Sequence, residues 1–277
     1  MGFEFCFDGG GSDTMEVDRE KVRDVMNEFL EFVKVKDVDL EKGVVRFEGI
    51  VGDDIVYDVE SEVGKVNGFL STLSSVVKGE LKIDGDMVRD ELEKVKFLYG
   101  VLGEKVFDFL GGRFYSYTIQ DLLQRDDEFC FKIVRKVFEK GIIKTDEVMN
   151  DIALGIVDYG IEETIIEGLS KLGLIDELVK HLWLRIKRKK EYNEKFTVEI
   201  VVRILESVKL ILKYNPKNKE DLEKIRLFVR NWLIGNKRFV NKLYDDYKKR
   251  FVMVCKMYRD VFGEDKTIDG YILTLSL

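Results

Sequence analysis

From Asp86 to the C-terminus, about 190 residues place apolar side chains at the spacing of amphipathic helices and show no convincing pair of alternating strands. With only one proline in the chain, little interrupts that pattern. The spacing predicts helices at roughly 86–102, 104–110, 118–125, 127–140, 145–159, 161–172, 174–191, 197–214, 219–234 and 237–262. Gly103, Gly141, Gly160, Gly173 and Gly235 stand where helices stop, and Thr118, Thr145 and Thr197 stand where they start. Pro216 separates two long helices. A helical region of this length needs no sheet to build a core.

The first 85 residues read differently. Phe3, Phe5 and Phe7 alternate with polar neighbours and predict a strand that ends at Gly9-Gly10-Gly11. Asp18 is placed to cap a helix running to about Lys36 through Val22, Val25, Met26, Phe29, Leu30 and Val33. Residues 44–60 hold two alternating runs around Gly52-Asp53-Asp54, the local pattern of a β-hairpin. A helix over Glu62–Val77 and a short strand at 80–84 follow. The order βαββαβ is the ferredoxin-like plan. The expectation is an α+β chain with a ferredoxin-like domain at 1–85 and a larger all-helical domain at 86–277. The outward sheet face of such a domain would be mostly acidic and would lack the aromatics on which an RNA-recognition sheet stacks bases.

Charge is divided along the chain. Residues 1–176 carry 22 lysines and arginines against 39 aspartates and glutamates, and residues 177–277 carry 24 against 14. A net charge of −7 therefore hides a strongly basic end, suited to a polyanion or an acidic partner. The 36% of charged residues, with one alanine and two glutamines, is a bias found in thermophile proteins. Cys6, Cys130 and Cys255 are odd in number and widely spaced, which argues for a reducing, cytoplasmic setting and against structural zinc. No apolar run approaches the roughly 18–20 residues that span a bilayer.

Two groups of residues are candidates for chemistry. FCFDGGGSD at 5–13 and RFEGIVGDDIVY at 46–57 resemble, over the first third of the chain, the palm domains of nucleotidyl cyclases and polymerases. The resemblance implies metal-dependent nucleotidyl transfer with Asp8, Asp53 and Asp54 as Mg²⁺ ligands. No other cofactor is expected. The second group is basic: Arg185, Lys187, Arg188, Lys189 and Lys190 at the end of one helix, and Lys248, Lys249 and Arg250 on another. Such clusters suit contacts to nucleic-acid phosphates that are blind to base sequence. His181, the single histidine, reads as an ordinary helix residue, and Tyr244, Tyr247, Phe251 and Tyr258 read as a core face. The short helices between 141 and 190 resemble an armadillo or HEAT unit whose period does not recur. The reading that follows is an interaction or scaffold protein whose basic C-terminal region meets another protein or nucleic acid.

Overall fold

The computed structural model describes residues 17–31, 34–39, 44–48, 56–192, 194–240 and 245–275. The chain divides into two units, Met1–Thr118 and Ile119–Leu277.

The first unit opens with helix α1, Arg19–Glu28, capped as expected by Asp18, whose carboxylate accepts from the amides of Glu20 and Lys21. Its buried stripe is Val22, Val25 and Met26. Residues 34–36, expected to finish this helix, instead begin strand β1, Lys34–Asp39, which pairs antiparallel with β2, Val44–Glu48. Asn27 fixes that change of course. Its side chain donates to the Val35 carbonyl at 3.0 Å and accepts from the Val35 amide at 2.7 Å, so both backbone groups of a buried strand residue are satisfied from the helix.

Val44–Glu48 is thus a strand, with its partner upstream and not downstream. The downstream stretch 56–60 belongs to helix α2, Val56–Val77. Over five residues, strand alternation and helical spacing are nearly indistinguishable, and Val59, Val63 and Val66 extend the helical spacing of the following residues back through the stretch. Residues 80–84 supply only an isolated parallel bridge from Ile83 to Leu110. Among the described residues the sheet is one two-stranded ribbon, which overturns the ferredoxin-like βαββαβ domain. The expected strand at 3–7 lies outside the described residues.

Helix α2 buries Val66, Phe69, Leu73 and Val76. Phe69 stacks on Phe97 with ring centroids 4.7 Å apart and meets Phe29 edge-on at 5.5 Å. Phe97 lies on α4, Leu92–Leu102, which a break at Glu91 separates from α3, Gly85–Asp90, where one helix was expected. Gly85 has no room for a side chain, since a Cβ there would lie 2.8 Å from the Arg113 carbonyl oxygen.

Past a 3₁₀ helix at Gly103–Phe109 and helix α5, Ser116–Gln124, the described residues of the second unit form helices joined by turns, with no strand among them. It contains α6 (Glu128–Glu139), α7 (Thr145–Asp158), α8 (Glu163–Lys171), α9 (Ile175–Glu191), α10 (Val198–Leu212), α11 (Lys219–Val240), α12 (Asp245–Phe262) and α13 (Lys266–Leu275). These match the expected helices closely up to residue 234. Gly103, Gly141, Gly160 and Gly173 take positive φ at helix ends, whereas Gly235 lies within α11. Helix α13 was not expected. It buries only Ile268 and Ile272, too few to make a stripe, and is started by Asp265, which accepts from the amides of Thr267 and Ile268 and from Arg230 at 2.6 Å. Helix α9 lies against α7 and α11, and α10 against α7 and α12. No helix among the described residues is long and apolar enough to cross a membrane.

Replacing Asn27 by Ala removes both contacts to Val35 and leaves a buried amide without its acceptor. The expected loss is about 1–3 kcal/mol, read as a lower denaturant midpoint at unchanged slope, with Asn27→Asp intermediate because it keeps the acceptor.

Candidate functional site

Helix α9 is acidic in its first turn, at Asp176 and Glu177, and basic in its last, at Arg188, Lys189 and Lys190, so the charge at each end complements the helix dipole. Its buried stripe of Leu178, Val179, Leu182 and Ile186 fixes its rotation. That rotation sends the basic residues in different directions. Lys189 turns inward: it is 8% exposed, its ammonium lies 2.5 Å from Glu194, and it sits 5.9 Å from the centre of the Phe196 ring. Arg185 approaches Asp158 at 3.7 Å. Arg188 is exposed, while Lys187 and Lys190 project along a third side.

On that side Trp183, Ile186, Lys187, Lys190 and Glu191 face Lys224, Leu227, Phe228, Asn231 and Trp232 of α11. Each set advances by three, one, three and one residues, the stripe that one face of a helix presents. Between them lies a groove of about 660 Å³. Both tryptophans of the chain line it. Trp232 is held in place by its indole N–H, which donates to the Phe196 carbonyl at 3.0 Å, and Phe196 also packs against Phe228 with centroids 4.6 Å apart. The Lys189 ammonium lies near the same Phe196, which joins the buried ion pair to the contacts that hold Trp232 and Phe228.

Charge on the lining is mostly positive. Lys187 lies 3.7 Å from Glu191, a long contact on the surface, and Lys190 is exposed. Lys224 is more engaged: Glu220 and Asp221 hold its ammonium at 2.7 and 2.9 Å and push its pKa up. Stacking surface and two loosely held cations therefore share one recess. That combination can hold a flat ring system with a phosphate beside it.

Of the expected basic residues, the structure brings Lys187 and Lys190 into the groove and leaves the others out of its lining. Lys248, Lys249 and Arg250 lie on α12, where Arg250 pairs with Glu199 of α10 at 3.0 Å in an exposed contact. Of the expected core face, Phe251 and Tyr258 are fully buried, Tyr247 is half-buried and Tyr244 lies outside the described residues. Asp8, Asp53 and Asp54 lie outside the described residues. The residues missed from the sequence are Trp183, Phe228 and Trp232. Part of their signal was available, since Trp183 sits one turn before Lys187 and Phe228 one turn after Lys224, whereas Trp232 has no lysine within a turn on its stripe. No protein-family model, curated protein or solved structure matches the chain.

The Lys189 ammonium, through its hydrogen bond, holds the Glu194 carboxyl below the usual glutamate range. A depressed carboxyl pKa stabilises the fold above the unfolded value, near 4.3, and that contribution is lost as pH falls through the folded value. Glu194→Gln is expected to lower the denaturant midpoint at pH 7 and to make it less sensitive to pH below about 4.3 than in the parent chain.

Proposed function

We propose that the second unit is an interaction module whose groove between α9 and α11 binds single-stranded nucleic acid with little regard to sequence. The observation that carries this reading is the convergence of both tryptophans and Phe228 with Lys187 and Lys190 in one open recess. Aromatic faces accept any base, each stacked base contributing about 1–3 kcal/mol, and lysines follow the phosphates without reading the sequence. The basic balance of residues 177–277 draws the polyanion toward this part of the chain. Duplex fits less well, because its bases are already stacked on one another and offer the tryptophans no face.

Because the groove holds the only tryptophans, intrinsic fluorescence reports on it directly. Titration of the full chain with a thymidine oligonucleotide of about 16 residues should quench that fluorescence at roughly 50 mM salt. The logarithm of affinity should fall against the logarithm of salt with a slope of about −1.4, as expected for two phosphates on a single strand. Lys187→Ala with Lys190→Ala should remove most of that slope, and Trp183→Ala should weaken binding roughly tenfold at unchanged slope. Absence of quenching at low salt, or quenching by polyglutamate and not by the oligonucleotide, would sink the proposal; the second result would assign the groove to an acidic protein.

A further inference from the structure

A separate cluster lies at the other end of α9. Helix α7 presents Asp146 and, one turn on, Asn150; helix α9 presents Glu177 and, one turn on, His181. Each pair is spaced by four residues on one face, and the two helices pack directly on one another. His181 is 4% exposed. Its Nδ1 lies 3.1 Å from the Asn150 side-chain oxygen and its Nε2 lies 3.1 Å from a carboxylate oxygen of Asp146. Ligand atoms of Asp146, Glu177 and His181 all fall within 4.8 Å of one another.

A neutral imidazole has one N–H and one lone pair. With both ring nitrogens facing oxygens, one N–H cannot serve the two, so a positive charge is required on or beside the ring: a second proton, or a metal ion between Nε2 and Asp146. The exposed Asp146 and the nearby Glu177 carboxylate favour the ion, because together with Nε2 they offer it three ligand atoms. Ligand atoms bound to tetrahedral zinc at about 2.0–2.1 Å lie roughly 3.3 Å apart, close to the observed separation of Nε2 and the Asp146 oxygen. Asn150 then holds the ring's second nitrogen, as outer residues do for ligating histidines.

We propose that Asp146, Glu177 and His181 form a site for a divalent transition-metal ion of the zinc type. One imidazole and two carboxylates favour zinc over Mg²⁺ or Ca²⁺, which prefer all-oxygen surroundings. Asp146 has a side chain 70% exposed, so the ion reaches the site from solvent and keeps a position open to water. Glu177 is held by Lys180 at 2.8 Å, which also puts a cation close by, so zinc binding requires Glu177 to release Lys180. This site and the groove share a helix but no residue, and either proposal stands without the other.

Calorimetric titration of the full chain with zinc chloride under reducing conditions tests it, with magnesium chloride as a parallel run. The expected result is one zinc bound whose affinity falls more than tenfold in Asp146→Asn and in His181→Gln, and about 10–100-fold in Asn150→Ala. Asp146 is exposed, so Asp146→Asn keeps the test alive if the buried substitution fails to fold. Zinc binding that is equal in the parent chain and Asp146→Asn, as thiol binding would give, overturns the site. So does the absence of zinc binding, which would mean that Nε2 carries a proton toward Asp146, with the Asn150 amide either accepting from a doubly protonated ring or turned to donate to Nδ1.

Discussion

The burial of one stripe of α9 against its neighbours sets what the second unit can present. Leu178, Val179, Leu182 and Ile186 are all at or near complete burial. Once they point inward, every other position on the helix has a fixed direction. Lys189 falls on the buried side and needs Glu194; Lys187 and Lys190 fall beside α11. Close-packed interiors resist rotation of a helix, because turning it by one residue would exchange buried methyl groups for ammonium groups. The direction of each cation is therefore a consequence of core packing and not of the local charge pattern.

Helices of the second unit were legible because their apolar spacing persists over three or more turns, as in Ile152, Ile156 and their neighbours on α7. Stop glycines added the boundaries, since a left-handed residue ends a helix wherever it falls. The first unit failed where segments are short. Val56–Glu60 alternates well enough for a strand, yet it is continuous with a longer helical stripe, and continuity prevailed. The turn into β1 depends on Asn27, a single polar side chain reaching eight residues ahead, which no periodicity displays. Helix α13 was hidden for a related reason: it is positioned by Arg230, 35 residues upstream, which holds the capping Asp265, more than by its own apolar face.

The candidate groove was half legible. A run of five basic positions over 185–190 marks a cationic helix end, and only its register with the apolar stripe through Leu182 and Ile186 tells Lys189 from Lys190. Burial separates them: one is buried near Phe196, the other exposed to solvent. The tryptophans were hidden by a different limit. Trp183 and Trp232 are 49 positions apart, and only the packing of α11 on α9 places them across one recess. His181 was hidden likewise, because its partners Asp146 and Asn150 come from another helix.

Charge at the two ends of α9 has an explanation that requires no ligand. Acidic residues in a first turn and basic residues in a last turn each contribute about 0.3–1 kcal/mol through the helix dipole. Asp176, Glu177, Arg188 and Lys190 would be reasonable choices for that reason alone. What the dipole leaves unexplained lies one layer further in and is built by neighbouring helices: a buried imidazole between two oxygens beside α7, and two tryptophans across a recess beside α11. An isolated α9 would keep its charges and lose both features. Both features therefore belong to pairs of helices, with α9 as the member common to each.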